Sequence, residues 1–367
     1  MNNFPKIIIS GGGTGGHIFP AVAIANALKS ISPNCEILFV GAVGRMEMEK
    51  VPAAGYKIVG LNISGIQRGS ILKNLNLPFK VISSVRKAAE IIDEFKPDVV
   101  VGVGGFASGP LLYAASLKKI PYLIQEQNSY AGITNKLLGK GAAKICVAFD
   151  EMEQFFPAAK ILKTGNPVRT SIVDIKGKHH MGAELLKLNP LKRTILITGG
   201  SLGAGTLNKS IEKHLPILIQ HDVQVIWQTG KFYYNGIIER LGPNYHPNVR
   251  IMEFLNKMDL AYAAADIIIS RAGAGTIAEL CLIEKPVILV PSPNVAEDHQ
   301  TKNAMALVKN DAAILIADRS AEDTLVTEAL KLLANKQRCE VLAENIGKMA
   351  LQDADVVIAE EVLKLIK

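Results

Sequence analysis

Short apolar runs alternate along the whole chain with longer segments in which apolar residues recur every three or four positions. The short runs predict strands, and the longer segments predict helices. In the first half, the predicted strands are 6–10, 36–40, 98–103, 121–125 and 144–148, and the predicted helices lie near 18–30, 80–95, 109–118 and 131–139. Strands that alternate with helices in this way are typical of a parallel α/β sheet.

The second half repeats this alternation. Its predicted strands are 194–198, 223–227, 249–251, 266–269, 286–290 and 312–316, and its predicted helices follow Gly205, Asn256, Ala274, Asp298 and Ser320. An amphipathic segment, 354–367, predicts a terminal helix that packs on a domain. Because 367 residues are too many for one ordinary core, we expect two domains, 1–166 and 167–345, and a C-terminal helical segment, 346–367.

A glycine-rich turn follows the first strand of each half. Residues Gly11 to His17 read Gly-Gly-Gly-Thr-Gly-Gly-His, and residues Gly199 to Gly205 read Gly-Gly-Ser-Leu-Gly-Ala-Gly. Such a turn places backbone N–H groups at a helix N-terminus, where a phosphate can bind. The sequence therefore predicts two Rossmann-like domains that face one cleft and bind a phosphorylated ligand.

A dinucleotide-dependent enzyme is the first alternative, because Gly11, Gly13 and Gly16 fit the G-x-G-x-x-G pattern. That class needs an acidic residue at the end of the second strand to hold the ribose hydroxyls. Here the second strand ends in Gly41-Ala42, which argues against a nicotinamide cofactor.

Composition narrows the class of protein further. Half of the residues are apolar and a fifth are charged, which is typical of a packed globular protein. The four cysteines are far apart, and with no recognisable signal peptide they predict a reducing, cytoplasmic setting. The uncharged stretch 99–117 is interrupted by glycines and Pro110, which favours a buried strand and helix over a membrane span.

The net charge of +7 comes entirely from the first 165 residues. Between Glu49 and Glu90 there is no acidic residue, and apolar residues are interleaved with seven basic ones: Lys50, Lys57, Arg68, Lys73, Lys80, Arg86 and Lys87. This segment is either a basic, apolar docking surface or a partly buried helix with solvated lysines.

His17 and Glu279 are the candidate chemical groups of the two halves. His17 starts a helix at the carboxyl end of the first strand, where a neutral imidazole can act as a general base or donate to a phosphate; alternatively, it caps its own helix. The run from Ser270 to Glu279 can receive a diphosphate at a helix start, and the Glu279 carboxylate could accept from a ribose diol or simply favour the helix dipole. The polar loop from Pro291 to Gln300 could contact sugar hydroxyls or be an ordinary surface loop.

Seven segments, taken together and in order, are similar to those of one known family. They are Gly11–Pro20, Val103–Pro110, Gln125–Asn128, Thr164–Arg169, Gly199–Ala204, Arg271–Glu279, and Asp298-His299-Gln300 with Asn303-Ala304. They span nearly the whole chain, which resembles the MurG family, the N-acetylglucosaminyltransferases that make lipid II in peptidoglycan synthesis.

The resemblance implies an α/β GT-B glycosyltransferase fold, with two Rossmann-like domains around a deep cleft and a C-terminal helix that returns to the first domain. It implies transfer of GlcNAc from UDP-GlcNAc, with inversion, to the C4 hydroxyl of the muramoyl sugar of lipid I, at the cytoplasmic face of the inner membrane. Neither a cofactor nor a nucleic acid is expected. Another GT-B glycolipid transferase, a non-catalytic nucleotide-binding membrane scaffold and a UDP-GlcNAc epimerase are the competing interpretations.

The resemblance also assigns site residues. Glu279 would hold the ribose, the backbone near Leu255 the uracil, Gln300 the GlcNAc hydroxyls, and Arg169 with Ser201 the diphosphate. The remaining assigned positions are Ala274, Gly275, Thr276, Ile277 and Ala278 on the donor side, and Thr14, Gly15, Gly16 and Asn128 in the first domain. Two residues depart from the family pattern: Leu202 replaces a usual glutamine, and Phe106 stands where a tyrosine is common.

Inversion requires a base for the acceptor hydroxyl and a positive environment for the departing UDP. His17 and Glu126 are both candidates for the base, although Glu126 could instead be a structural carboxylate. We identify no Asp-x-Asp pair that could hold a metal, so we expect none; helix N-termini at Ser201 and Ala274, with Arg169, would supply the positive potential.

A lipid acceptor favours the docking interpretation of the basic segment. Basic side chains near an anionic bilayer contribute about 1 kcal/mol each, and an apolar patch among them allows reversible binding. The residues predicted to meet the membrane are Ile71, Leu75, Phe79, Lys73, Lys80, Arg86 and Lys87.

Overall fold

The computed structural model describes residues 4–63, 77–200 and 202–366. The chain folds as two compact units, each built on its own sheet. The first unit comprises residues 1–168 together with 352–367, and the second comprises residues 169–351. The first unit therefore ends at residue 168, two residues beyond the expected boundary at 166. The chain returns to the first unit at residue 352.

The first unit contains a seven-stranded parallel sheet in the order β3-β2-β1-β4-β5-β6-β7. Its strands are β1 Lys6–Ser10, β2 Glu36–Ala42, β3 Lys57–Leu61, β4 Val99–Gly102, β5 Tyr122–Glu126, β6 Lys144–Val147 and β7 Ile161–Lys163. Its helices are α1 Gly15–Ile31, α2 Glu47–Ala53, α3 Leu77–Phe95, α4 Ser108–Leu117, α5 Ile133–Gly139 and the C-terminal Ala354–Lys364, labelled α15.

The central strand β1 is buried on both faces, which explains its unbroken apolar sequence. Ile8 belongs to the core on one side of the sheet, and Ile7 and Ile9 belong to the core on the other side. Ile358 and Val362 of α15 share that second core, and α15 packs on α1. The terminal helix predicted from the amphipathic pattern is therefore confirmed.

The second unit contains a six-stranded sheet in the order β10-β9-β8-β11-β12-β13, again with parallel pairs. Its strands are β8 Thr194–Thr198, β9 Gln224–Gln228, β10 Val249–Met252, β11 Ile267–Ser270, β12 Val287–Leu289 and β13 Ile314–Leu315. Its helices are α6 Thr170–Val173, α7 His179–Leu185, α8 Gly205–Gln220, α9 Tyr234–Leu241, α10 Met258–Ala264, α11 Ala274–Ile283, α12 His299–Val308, α13 Asp318–Ala334 and α14 Lys336–Lys348.

In both sheets the strand order reverses beside the first strand of the unit. β1 lies between β2 and β4, and β8 lies between β9 and β11. Ligands of open α/β sheets bind at such switch points, beyond the carboxyl ends of the strands. The loops that follow these strands therefore form the candidate site in each unit.

The uncharged stretch 99–117 is divided between β4 and α4, as the sequence predicted. In the described part of the chain, no helix is both long enough and apolar enough to cross a bilayer.

Candidate active site

The loop after β1 packs closely against the loop after β4. The N–H group of Gly12 donates to the carbonyl oxygen of Gly104 over 3.3 Å. Gly104 has a φ of +99°, and a Cβ atom on it would lie 2.6 Å from Cδ2 of His17. Only glycine tolerates both conditions, so this position allows the backbone to lie directly against the imidazole ring.

His17 lies in the first turn of α1, where it is half-buried. Its Nδ1 atom is 3.0 Å from the carbonyl oxygen of Gly12 and 3.3 Å from Oγ1 of Thr14. A carbonyl oxygen can only accept, so Nδ1 carries the proton in this hydrogen bond, and in the neutral ring the lone pair is then on Nε2. Thr14 precedes α1, and Gly15 and Gly16 begin it.

Glu126, the other candidate for the base, ends β5 with only 3% of its surface exposed. Oε1 accepts from the backbone N–H of Asn128 over 3.1 Å and from its Nδ2 over 3.5 Å. Oε2 accepts from the N–H of Gly132 over 3.0 Å and from Nδ2 of Asn135 over 2.8 Å. Burial raises the pKa of Glu126, and these hydrogen bonds partly oppose that rise. The geometry is that of a carboxylate that holds the loop between β5 and α5.

The glycine loop of the second unit is fixed by the end of β9. Nε2 of Gln228 donates to the carbonyl oxygen of Gly200 over 2.9 Å, and Oε1 accepts from the Thr198 hydroxyl. Gly203 has a φ of +87° and lies against the backbone of Thr229, where a Cβ atom would overlap it. The loop is therefore held at Gly200 and at Gly203, in front of α8. Ser201 lies outside the described residues.

Arg271, which opens the family-like run after β11, connects neighbouring loops. Its Nη1 atom donates to the carbonyl oxygens of Val290 and Pro291 over 2.9 and 3.1 Å, and it is 2.5 Å from Oδ1 of Asp318. Oδ2 of Asp318 accepts from the Thr206 hydroxyl over 2.9 Å. This network ties the starts of α8 and α13 to the loops after β11 and β12.

Glu279 and Tyr262 form a buried polar pair in the second unit. The Tyr262 hydroxyl, fully buried on α10, donates to Oε2 of Glu279 over 2.9 Å. Burial raises the pKa of Glu279, whereas the Tyr262 hydrogen bond and the charge of Arg169 lower it. Arg169 and Glu279 are thus close enough to interact. Tyr262 was not identified from the sequence, where the only indication was a single hydroxyl-bearing side chain within an alanine-rich segment.

The other residues assigned to the donor side lie at the same edge of the sheet. Residues 274–278 form the first turns of α11; the Ile277 side chain is buried, and its N–H group donates to the carbonyl oxygen of Gly273 over 2.9 Å. Oε1 of Gln300 accepts from the N–H groups of Ala272 and Ser292 over 3.2 and 2.8 Å, which places its amide between two loops. Leu255 follows β10, and its side chain is buried.

The candidate membrane face lies on α3. Phe79 is 74% exposed, and Lys80, Ile82 and Arg86 are also exposed. Lys87 pairs with Glu90 over 2.9 Å. Helix α4, which packs on α3, and helix α5, which packs on α4, also expose apolar side chains: Tyr113, Leu117, Ile133 and Leu137. Ile71, Lys73 and Leu75 lie outside the described residues.

The chain is similar to known proteins along its whole length. Residues 7–147 match the glycosyltransferase family 28 N-terminal domain, and residues 194–359 match the family 28 C-terminal domain. The chain is 55% identical to the UDP-N-acetylglucosamine--N-acetylmuramyl-(pentapeptide) pyrophosphoryl-undecaprenol N-acetylglucosamine transferase of Parabacteroides distasonis, over 98% of both chains. It is 52% identical to the enzyme of the same name from Flavobacterium psychrophilum, over 99% of this chain and 98% of that one.

The chain belongs to the MurG family. A crystal structure of Acinetobacter baumannii MurG matches it with a TM-score of 0.78 and 29% identity, over 98% of this chain and 99% of that chain. The predicted GT-B glycosyltransferase fold and the predicted enzyme class are therefore confirmed. A putative UDP-N-acetylglucosamine 2-epimerase from Listeria monocytogenes, at 18% identity and a TM-score of 0.68, shares the fold alone.

Metal binding was not expected from the motifs of this MurG-family chain. In the described ranges, no group of three or more His, Cys, Asp or Glu side chains could hold a metal ion. One ground for that expectation was wrong, because the sequence does contain an Asp-x-Asp pair, Asp353 and Asp355, where α15 begins. Burial raises the pKa of Asp355, which disfavours its charged form.

Proposed function

We propose that the chain transfers GlcNAc from UDP-GlcNAc to the C4 hydroxyl of the muramoyl sugar of lipid I, with inversion, and so produces lipid II. The observation that carries this proposal is the identity of more than half of the residues, over nearly all of both chains, with enzymes whose names describe this transfer. The chemistry of each unit's loops agrees with it.

The second unit binds the donor. Glu279 accepts from the ribose hydroxyls, and its partners Tyr262 and Arg169 favour the charged carboxylate that this role needs. The backbone beside Leu255 pairs with the uracil. Since Oε1 of Gln300 already accepts two backbone hydrogen bonds, its Nε2 group is the one that donates to a GlcNAc hydroxyl.

Positive potential at the diphosphate comes from backbone and side chain together. Three groups stabilise the charge that develops on UDP as the glycosidic bond breaks. They are the N–H groups of residues 274–276 at the start of α11, the loop that contains Ser201 before α8, and the guanidinium group of Arg169. This arrangement needs no metal ion, so we expect activity to persist in the presence of a chelator.

The first unit supplies the base. Nε2 of His17 takes the proton of the C4 hydroxyl while that oxygen attacks the anomeric carbon and UDP leaves from the opposite face. The burial of Glu126 and the four hydrogen bonds that its carboxylate accepts favour His17 over Glu126 as the base, and they support a role for Glu126 in shaping the loop that contains Asn128. On the first unit, the residues assigned to UDP-GlcNAc binding are Thr14, Gly15, Gly16 and Asn128.

The acceptor is a membrane lipid, and the exposed face of α3 brings the enzyme to it. Phe79 and Ile82 enter the interfacial region, while Lys80 and Arg86 meet anionic head groups. We therefore place the enzyme peripherally at the cytoplasmic face of the inner membrane.

The deciding assay measures transfer of labelled GlcNAc from UDP-GlcNAc to a short-chain lipid I analogue. We expect product with the wild type. His17→Ala should lose most activity, since a positioned base alone supplies about 10²–10⁴-fold in rate, and Glu279→Ala should lose most activity because it removes the contact to the ribose. The matched controls are His180→Ala and Glu239→Ala, both exposed residues of the second unit, which should retain full activity. A folded, UDP-binding wild type that makes no product would favour a different acceptor or a scaffold.

A further inference from the structure

Glu47 is a buried acid that the reaction as described above does not use. It is the first residue of α2 and only 1% of its surface is exposed. Both carboxylate oxygens accept from backbone: Oε1 from the N–H of Ala42 over 3.0 Å, and Oε2 from the N–H of Gly13 over 2.8 Å. The carboxylate thus joins the end of β2 to the glycine loop after β1.

The surrounding glycines are shaped to admit this carboxylate. A Cβ atom on Gly12 would overlap the Glu47 carboxylate, and one on Gly41 would lie 2.6 Å from Cγ of Glu47. Gly12, one of the glycines that suggested a phosphate loop, therefore makes room for an internal acid, as does Gly41 near the end of β2. The Gly13 N–H group is committed to that acid and does not face a ligand.

A single peptide group connects the Glu47–Gly13 hydrogen bond to His17. The N–H of Gly13 and the carbonyl of Gly12 belong to the same planar unit, so fixing one fixes the other. That Gly12 carbonyl is the acceptor for Nδ1 of His17. A peptide between two glycines has little steric preference for one orientation, so an external partner must select it. Glu47 is that partner.

We propose that Glu47 is a positioning residue that acts on His17 through the Gly12–Gly13 peptide. A carboxylate on the N–H polarises the peptide and makes its carbonyl a stronger acceptor for the Nδ1 proton. The same contact keeps the proton on Nδ1 and the lone pair on Nε2, which is the tautomer the base requires. This inference rests on the proposed function, because it gives His17 the role of base.

The first test is the tautomer of His17 in the wild-type protein. The chain has seven histidines, so selective ¹⁵N labelling gives a tractable spectrum, and His17→Gln identifies the His17 signals. We expect the neutral ring to carry its proton on Nδ1. A proton on Nε2 in the wild type would overturn the proposal without any Glu47 variant.

The second test is Glu47→Gln, which replaces one accepting oxygen with an NH₂ group that cannot accept. We expect a mixture of His17 tautomers and about a tenfold lower kcat, a fraction of the roughly 10²–10⁴-fold that a base supplies, with KM for UDP-GlcNAc unchanged. Glu49→Gln, an exposed neighbour paired with Lys50, is the matched control and should change neither property.

The outcomes separate this inference from the proposed function. A lower kcat with the wild-type His17 spectrum would mean that Glu47 only supports the fold, and an unchanged kcat and spectrum would equally refute the proposal. If Glu47→Gln does not fold, the wild-type spectrum decides. If His17→Ala retains activity, the role of His17 as base fails, even where Glu47 is shown to set its tautomer.

Discussion

The hydroxyl group of Tyr262 donates a hydrogen bond of 2.9 Å to Oε2 of Glu279. Burial, reinforced by the Glu279 charge, raises the pKa of Tyr262 well above its ordinary value, so the hydroxyl keeps its proton and always donates. Because Oε2 of Glu279 accepts this hydrogen bond, the orientation of the carboxylate is fixed, and with it the direction in which Oε1 can accept from a ligand. This contact is the basis for two expectations about donor binding.

Tyr262→Phe should weaken UDP binding about three- to tenfold, a part of the roughly 1.5–3 kcal/mol that a hydrogen bond to a charged group contributes. The ring is kept, so packing should change little, whereas Glu279 loses its fixed orientation. Calorimetric titration with UDP and with 2′-deoxy-UDP measures the effect, and the difference between the two ligands should shrink in the variant. Tyr245→Phe is the control; equal affinities of Tyr262→Phe and wild type would contradict the assigned role.

Burial raises the pKa of Glu279. As the pH is lowered, UDP affinity should therefore begin to fall at a pH above the ordinary pKa of a glutamate. The sign follows from the proposed role: the carboxylate accepts from the ribose more strongly than the protonated acid does, so affinity is full above this pKa and falls as the pH falls through it. Arg169→Gln removes a charge that lowers the pKa of Glu279, so the loss should begin at higher pH.

The pH experiment needs a baseline, since the phosphates of UDP also titrate. Glu279→Gln provides it, because any remaining pH dependence in that variant belongs to the ligand. Arg240→Gln, on an exposed residue paired with Glu212, controls for the loss of a positive charge. Identical midpoints for the wild type and Arg169→Gln would show that Arg169 does not act on Glu279.

Glu126→Gln should loosen a loop rather than remove a base. One of its two accepting oxygens becomes an NH₂ group that faces Asn128, Gly132 or Asn135, at a cost of about 1–3 kcal/mol for the unpaired donor. Hydrogen exchange of the 126–135 segment should become faster and activity should fall only partly. The exposed Glu153→Gln is the control. Complete inactivity with unchanged exchange would instead support Glu126 as the base.

The sequence predicted the central strands well because they are continuous buried apolar runs, as in β1 and β8. It missed β3 and β7, which lie at the two edges of the first sheet, where half-exposed residues carry no such run. It also missed short helices such as α2, a seven-residue helix with Pro52 inside it.

The site residues differ in the same way: some can be recognised from their neighbours in sequence, whereas others depend on contacts with residues far away along the chain. His17 was found because its loop and strand are adjacent to it in sequence. Glu47 bonds to a residue 34 positions away and Tyr262 to one 17 positions away, and no local pattern records such contacts. Arg271 stood out within a family-like run, yet its role as a connector depends on Asp318, 47 positions further along the chain.

Reversing the charge of two basic residues on α3, with Lys80→Glu and Arg86→Glu together, should greatly reduce binding to anionic vesicles. Each basic residue near such a surface contributes about 1 kcal/mol, so losing both attractions alone weakens binding about thirtyfold, before any added repulsion. Lys87→Gln should have a smaller effect, because the Lys87 ammonium group already pairs with Glu90. Vesicle sedimentation at two salt concentrations measures these differences.

The matched control places the same two reversals on α14 of the second unit, with Lys336→Glu and Lys348→Glu together, and should bind vesicles nearly as the wild type does. Both double variants should transfer GlcNAc normally to a water-soluble lipid I analogue, which separates docking from catalysis. Phe79→Ser should weaken binding at every salt concentration, since its apolar contribution is not screened. If the α3 variant still binds anionic vesicles like the wild type, this face does not dock the enzyme and another surface must meet the lipid.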